Sequence, residues 1–412
     1  MHINDIMKKL PPMLSGKQLE EAMTVLPIFD PTIRFENAAD RLIALTDLYR
    51  VFIPNDLSRE IYSKLYLALL RSLQKKESIA RIRQGNENHK TYMQQTINGI
   101  IGGADSFTII GKSGIGKSSA ISRAVQLITE GRVIESDNPF TKIIPCVLVQ
   151  CPFDSSVKGL LLEILRVVDE QLGSNYYVKS TSAKATTDML IGTVSQVALN
   201  HIGILIVDEI QNVAVAKNGR NLLGALLQLI NCSGISIGMV GTPECTEFFS
   251  QAYQLARRSL GLQYDSMDYG KEFYNLCQIL LQYQYVRHPM EVDDAVVRWL
   301  YEHTGGNVSS VVTLLHDSQE IGIMNGKDTL GFEELEEVYS DRMRLLHTYA
   351  APKRKSQTSK IKKGTVAMPV VSEEATETEM IPISALIQQA KSESRNIAAF
   401  LKQFIPLEVL RA

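Results

Sequence analysis

The chain has 412 residues, with 43 lysines and arginines against 45 aspartates and glutamates. This length is enough for two or three domains with large apolar cores. The formal net charge of -2 excludes a uniform polycation that coats nucleic acid, so any nucleic-acid contact requires a local basic surface. The five cysteines form no C-x-x-C pair, and no run approaches about 18 apolar residues, so we expect a cytoplasmic protein with reduced thiols and no membrane contact.

The first 98 residues divide into two predicted segments. Residues 1–37 contain several prolines around a short amphipathic stretch, and they predict an arm that orders against a partner or stays frayed. Residues 38–98 predict a helical extension, whose second helix is capped by Asp56 or Ser58. The polar and basic stretch at residues 75–90 follows this helix and is a solvated face or, less favoured, a DNA contact.

The stretch GKSGIGKS at residues 111–118 is the strongest motif. An apolar run precedes it and an amphipathic helix follows, which is the context of a P-loop. Its glycines let the backbone turn N–H groups toward phosphates; Lys117 is predicted to reach the β- and γ-phosphates, and Ser118 to bind Mg²⁺. A glycine-rich turn that binds nothing is the alternative. The predicted ATP-binding residues are Gly111, Lys112, Ser113, Gly114, Ile115, Gly116, Lys117, Ser118 and Ser119.

A strand at residues 143–149 and a helix at residues 160–172 predict an α/β domain. Two nearby stretches are candidates for contacts with the nucleic-acid backbone, because hydroxyls and ammonium groups at a helix start or in a polar loop can hold phosphates. The alternatives are a helix cap beside a solvated lysine and, for the loop at residues 178–187, simple exposure. The candidate residues are Ser155, Ser156, Lys158, Lys179, Lys184, Thr186 and Thr187.

The run GILIVDEIQN at residues 203–212 predicts a buried parallel strand whose carboxyl end meets the P-loop. Asp208 is predicted to hold Mg²⁺ through its water shell, and Glu209 to polarise the attacking water. A further strand at residues 235–240 leads to Thr242, which senses the γ-phosphate or is a turn residue.

The C-terminal third predicts further elements of the same domain and a tail. Arg257 and Arg258 end a predicted helix, and such a pair can act on the γ-phosphate of a neighbouring subunit. Residues 279–285 predict a last strand, and three helical patterns after residue 289 predict a small helical unit. From residue 351 the chain is polar and predicts a disordered linker that ends in an amphipathic docking helix.

In order and spacing, several stretches resemble the TnsC/TniB group of transposition AAA+ ATPases. They are GKSGIGKSS, LVQCPFDSSVKGLLLEILRVVDEQLGSNYY, ILIVDEIQN, GMVGTPE and QLARRSLG. The resemblance implies an α/β fold of the AAA+ P-loop NTPase type, with a parallel sheet, a helical lid, an N-terminal helical extension and a flexible tail. It implies ATP and Mg²⁺ as cofactors, and a homo-oligomer on duplex DNA, in the form of a ring or a helical filament. This oligomer would mark a target site for a targeting protein or guide-RNA complex and recruit the transposase.

The resemblance also assigns roles to single residues. Asp208 and Glu209 support hydrolysis, Thr242 resembles a first sensor, and Arg257 or Arg258 resembles a finger that acts in trans. The DNA-tracking lysine of the family falls on Lys158, and its DNA loop falls around residues 184–187. The GGNVSS stretch at residues 305–310 offers no second-sensor arginine, which implies slow or partner-dependent hydrolysis.

We expect five segments and keep two alternatives open. The segments are an N-terminal arm (1–37), a helical extension (38–98), a nucleotide-binding core (99–288), a helical lid (289–347) and a tail (348–412). The arm is our candidate for docking the targeting factor, and the tail for docking the transposase, in a bacterial cytoplasm. The alternatives are another AAA+ ATPase, such as a replication initiator or helicase loader, and a nucleotide-binding interaction switch with little hydrolysis.

Overall fold

The structure is a computed structural model of the chain, and it describes residues 8–89, 106–135, 142–212, 219–246 and 261–344. The arginines Arg257 and Arg258 and the predicted tail lie outside these ranges. No helix among the described residues has both the length and the apolar character that crossing a membrane requires.

A six-stranded sheet forms the centre of the described part, with the strand order β2-β3-β4-β5-β1-β6. All neighbouring strands are parallel except β2 and β3. Strands β1, β4 and β5 are buried along their whole length, which explains why each is a continuous apolar run in the sequence. The strands are β1 (Phe107–Gly111), β2 (Ile134–Glu135), β3 (Lys142–Gln150), β4 (Ile202–Asp208), β5 (Ser236–Gly241) and β6 (Leu262–Tyr264). The predicted α/β fold with a parallel sheet is confirmed.

Helices surround this sheet, and the helices after residue 270 share an apolar core and are called the lid. The α-helices described are α1 (Gly16–Met23), α2 (Ala38–Leu45), α3 (Asp56–His89), α4 (Lys117–Thr129), α5 (Val157–Leu172), α6 (Tyr176–Ser182), α7 (Thr187–His201), α8 (Gly219–Ser233), α9 (Lys271–Leu280), α10 (Asp294–Thr304), α11 (Val308–Met324) and α12 (Phe332–Asp341). One apolar cluster joins α5, α7 and α8 to the sheet, and a second joins α1, α3 and α4 to it. The sheet is therefore covered by helices on both faces.

The N-terminal residues from 8 onward pack against the rest of the described chain. Leu19 and Met23 of α1 are buried, and Arg123 of α4 donates hydrogen bonds to the carbonyls of Ala22 and Met23, at 2.5 and 3.1 Å. The prediction of an arm that needs a partner or frays was therefore wrong. The surfaces of α3 and α4 that cover this arm come together only in the folded chain.

Helix α3 differs from its prediction at both ends. Asn55 caps it, because the Asn55 side chain accepts a hydrogen bond from the Ser58 amide at 3.0 Å, and the Ser58 hydroxyl accepts one from the Asn55 amide at 2.8 Å. Asp56 is the first helical residue and not the cap. The helix also continues through the polar stretch to His89, since most residues of this stretch are good helix formers.

The lid shares its core with part of the N-terminal region. Leu45 and Leu48 belong to the same apolar cluster as helices α9 to α12. Arg41 is 2% exposed, and its guanidinium pairs with the Asp328 carboxylate of the lid at 2.5 Å. A buried charge with a close partner holds two elements in one arrangement, because separation would leave the charge unpaired. The segment from α2 to residue 48 is therefore packed as part of the lid.

Two further sequence predictions were wrong. Residues 279–285 are not a strand, because the apolar residues before them follow the helical spacing of α9, and the sixth strand is instead β6. Residues 178–187 are not a continuous loop, because α6 occupies the first half. The Asp169 carboxylate accepts hydrogen bonds from the amides of Tyr176 and Tyr177, at 2.9 and 2.8 Å, and so supplies the acceptors that the start of α6 requires.

Candidate nucleotide-binding site

The loop between β1 and α4 requires glycine at several positions. Gly114 and Gly116 have φ values of 80° and 95°, in the left-handed region that side chains disfavour. A Cβ atom at Gly111 would lie 2.9 Å from the carbonyl oxygen of Tyr264 on the neighbouring strand. The loop therefore has the backbone conformation and the lack of side chains that a phosphate cradle needs.

Lys117 is buried at the first position of α4. Its ammonium donates hydrogen bonds to the carbonyls of Gly111 and Lys112, at 2.6 and 2.8 Å. Burial lowers the pKa of Lys117 below its ordinary value, while the charges of Asp208 and Glu209 act in the opposite direction. The positive charge is thus held against the P-loop, beside Asp208, which ends β4, and Glu209, which follows it.

Ser118 and Asp208 meet at the edge of the sheet where the parallel strands β1 and β4 end. The Ser118 hydroxyl donates to the buried Asp208 carboxylate at 2.9 Å. Among the described residues, no three His, Cys, Asp or Glu side chains form a metal-binding group. Mg²⁺ fits this pair nevertheless, because it commonly takes one or two protein ligands and fills its remaining positions with water and phosphate oxygens. Ser118 and Asp208 would hold the ion, which would offset the negative charge of the phosphates.

Glu209 lies at the mouth of the site with an exposed side chain and a φ of 56°. The Gln211 side-chain amide donates to the Glu209 carboxylate, and its oxygen accepts from the Thr242 amide at 3.3 Å. Gln211 therefore connects the acid after β4 to the end of β5. Sequence reasoning gave Gln211 no role, although it lies only two residues after Glu209.

Thr242 is half-buried at the end of β5. A hydrogen bond from its side chain lowers the pKa of Glu244 below its ordinary value. The hydroxyl predicted to sense the γ-phosphate thus has a carboxylate partner within its own turn. Glu244 was also missed, because the sequence alone does not show that the chain turns back at Pro243–Cys245.

A cleft of about 820 Å³ extends from the P-loop between the N-terminal segment and the lid. Its lining includes the apolar side chains of Leu48, Val51, Ile53, Leu276, Val308 and Val312. Such a surface suits the flat faces of a nucleobase, with the phosphates at the P-loop. Sequence reasoning missed these residues because they come from distant parts of the chain.

Comparison with known proteins agrees with this geometry. Residues 97–249 match the family model described as an AAA domain. The matched stretch contains the P-loop, Asp208, Glu209 and Thr242, and it ends before Arg257 and Arg258. No curated protein matches the chain significantly.

Solved structures with partial similarity include three from other proteins. The ORC1 protein of Aeropyrum pernix, solved in complex with DNA, is 15% identical, with 59% of this chain and 60% of that chain covered and a TM-score of 0.41. A Walker-type ATPase of Pyrococcus abyssi is 12% identical, with 60% and 69% covered and a TM-score of 0.39. A structure concerned with katanin self-assembly is 12% identical, with 79% and 93% covered and a TM-score of 0.38.

The candidate DNA-contacting residues between positions 155 and 187 differ in their surroundings. Lys158, Lys179 and Lys184 are exposed, on α5, on α6 and before α7, and α5 packs against both α6 and α7. Ser155 is fully buried, so the prediction that its hydroxyl contacts DNA is not supported.

The remaining candidates lie at helix starts. Ser156 caps α5 and Thr186 caps α7, through hydrogen bonds from the Gly159 and Met189 amides at 3.1 and 3.4 Å. Thr187 is the first residue of α7 and is half-buried. The Ser156 and Thr186 hydroxyls therefore have a structural role, which leaves the exposed lysines as the principal candidates for phosphate contacts.

Proposed function

We propose that this protein is an ATPase whose ATP-bound state assembles on duplex DNA. The hydrogen bond of 2.9 Å between Ser118 and Asp208 carries the nucleotide part of the proposal, because it joins the P-loop to the acids after β4 in one site. The buried Lys117 ammonium lies beside them, where it can pair with the phosphates. An AAA domain over residues 97–249 supports ATP as the ligand.

In the proposed reaction, each residue of the site has a limited task. Lys117 and the loop amides bind the phosphates, and Ser118 and Asp208 hold Mg²⁺. Glu209 accepts the proton of the attacking water, and Gln211 keeps its carboxylate in place. A neighbouring subunit supplies Arg257 or Arg258 to the γ-phosphate, so hydrolysis depends on a homo-oligomer.

The DNA part of the proposal rests on the exposed lysines of the AAA domain. Lys158, Lys179 and Lys184 are exposed, so their ammonium groups can reach phosphate oxygens. Contacts with phosphates fix a protein on the duplex but read no bases, so we propose binding that is independent of sequence and sensitive to salt.

The finer proposal is a bacterial, cytoplasmic regulator of transposition. The order of the motifs from GKSGIGKSS to QLARRSLG supports it. The oligomer links a targeting protein or guide-RNA complex to the transposase subunits and is reset by hydrolysis. On the arm, Ile28 and Phe35 are 97% and 79% exposed, and these apolar side chains are available to the targeting factor. The tail from residue 348 is the proposed site for the transposase.

Electron microscopy with duplex DNA of random sequence tests this function. We expect ordered DNA-bound oligomers with ATP but not with ADP, and weaker assembly of the variant Lys158→Ala. The matched control is Lys17→Ala, which removes an exposed lysine from α1 and leaves assembly unchanged. Particles that form equally with and without DNA would contradict the proposal.

A further inference from the structure

The start of α11 in the lid lies directly on the P-loop. The side-chain amide of Asn307 donates to the carbonyl of Ser113 at 2.8 Å, and the Ser309 backbone amide donates to the carbonyl of Gly114 at 2.9 Å. The other end of the Asn307 side chain caps α11, since its oxygen accepts from the Ser310 amide at 3.1 Å. Asn307 therefore has two separable tasks, a helix cap and a contact with the P-loop.

Close backbone packing keeps this contact in place. Gly306 has a φ of 74°, and a Cβ atom there would lie 2.0 Å from the carbonyl oxygen of Met267. The Met267 amide donates to the Gly306 carbonyl at 3.0 Å. A Cβ atom at Gly114 would lie 2.6 Å from the Asn307 side-chain oxygen. The two glycines thus let the lid approach the P-loop as closely as backbone atoms permit.

These contacts determine which way the peptide groups of the loop face. No described peptide bond is cis, and in a trans peptide the C=O and N–H groups point in opposite directions. When the lid holds the carbonyls of Ser113 and Gly114, the amides of Gly114 and Ile115 face away from the lid. A P-loop binds phosphates through such amides, and fixing them before the ligand arrives removes part of the entropy loss of binding.

We propose that Asn307 is a positioning residue that orients the phosphate-binding amides of the P-loop. The inference rests on the proposed nucleotide binding. The lid acts here through the loop backbone and not through a charge on the γ-phosphate. The contact should therefore raise the affinities for ATP and for ADP by the same factor.

The variant Asn307→Ser separates the two tasks of the residue. Serine caps helices well, but its side chain is too short to reach the Ser113 carbonyl. We expect the dissociation constants of fluorescent ATP and ADP analogues to rise together, by about three- to tenfold, which corresponds to one net hydrogen bond. The thermal unfolding midpoint without nucleotide should fall by about 2 °C at most, as the loss of one hydrogen bond predicts, whereas a purely structural role would lower the midpoint and leave both dissociation constants unchanged.

Two further variants complete the experiment. Asn307→Asp keeps the cap and the shape but turns an oxygen toward the Ser113 carbonyl, so we expect a larger loss than with serine. Asn37→Ser is the matched control, because Asn37 caps α2 through the Asp40 amide at 3.0 Å and has no contact with the loop among its described hydrogen bonds. Its nucleotide affinities should equal those of the wild type.

The outcomes distinguish this inference from the proposed function. Wild-type binding of both nucleotides by Asn307→Ser would overturn the inference and leave nucleotide binding intact. A loss confined to ATP would also overturn it, because the lid would then respond to the γ-phosphate. A wild-type protein that binds neither nucleotide would overturn the proposed function itself.

Discussion

The phosphate end of the nucleotide site and the lysine surface of α5 to α7 differ in how their side chains are held. Lys117 is buried with two hydrogen bonds, and Ser118 has its own carboxylate partner. Lys158 and Lys184 are exposed. A group held in one position contributes through its geometry, whereas an exposed ammonium contributes through charge that salt screens. Single substitutions should therefore have large effects in the first region and small, additive effects in the second.

The largest expected effect is at Glu209. The variant Glu209→Gln removes the proposed base that accepts the proton of water but keeps nearly the same shape. We expect ATP turnover to fall by about 100- to 10,000-fold, while ATP binding remains. Measurement of steady-state phosphate release and of ATP affinity on the same sample checks both parts. Turnover within threefold of the wild type would show that another group is the base.

Two lysines of the P-loop, one buried and one exposed, should differ in how much ATP turnover is lost on substitution. Lys117→Ala removes the buried ammonium, and we expect about a 100- to 1,000-fold loss of turnover. Lys112 is 41% exposed and pairs with Asp265 at 2.9 Å. Because an exposed ion pair contributes about 0.2–1 kcal/mol, Lys112→Ala should change turnover by no more than about fivefold. Equal losses in the two variants would contradict the assignment of Lys117.

Substitution on the lysine surface should have a smaller effect. Lys158→Ala is expected to weaken DNA binding to the same degree for every sequence and to reduce the slope of log K against log salt by about 1. Lys184→Ala should add a similar amount. Fluorescence anisotropy with several duplexes and salt concentrations measures both quantities. A loss that depends on sequence would mean that Lys158 reads bases.

The smallest predicted effect concerns the reactivity of cysteine thiols, which differs between buried and exposed positions. Burial raises the pKa of Cys151 and of Cys245 to about 11, so at pH 8 about one in a thousand of these thiols is a thiolate. Cys232 is exposed. We expect a thiol reagent to modify one cysteine of the native protein at pH 8, and Cys232→Ser to remove this reaction. Modification of Cys151 or Cys245 would show that the site opens more widely than its packing indicates.

The sequence was sufficient to predict the parts of the site whose residues lie within one short stretch of the chain. The P-loop lies within residues 111–118, Asp208 ends β4 and Glu209 follows it, so the meeting of the P-loop and the acids follows from parallel strand geometry. The central strands were predicted because strands buried on both faces are continuous apolar runs.

The sequence was insufficient where distant segments meet. Asn307 contacts Ser113 across a separation of 194 residues, and no local pattern indicates that contact. The N-terminal arm has weak local signals, and its order comes from surfaces on α3 and α4. Tyrosine is common in strands, so Tyr283 and Tyr285 favoured a strand at residues 279–285. Both side chains are instead buried in the lid core.

ATP turnover with and without duplex DNA tests most directly whether the two regions act together. We predict that duplexes of unrelated sequence raise the turnover of the full chain, and that Lys158→Ala needs more DNA for half of the maximal stimulation. Lys17→Ala should respond as the wild type does. Turnover that is indifferent to duplex DNA at every salt concentration would contradict an ATPase controlled by assembly on DNA.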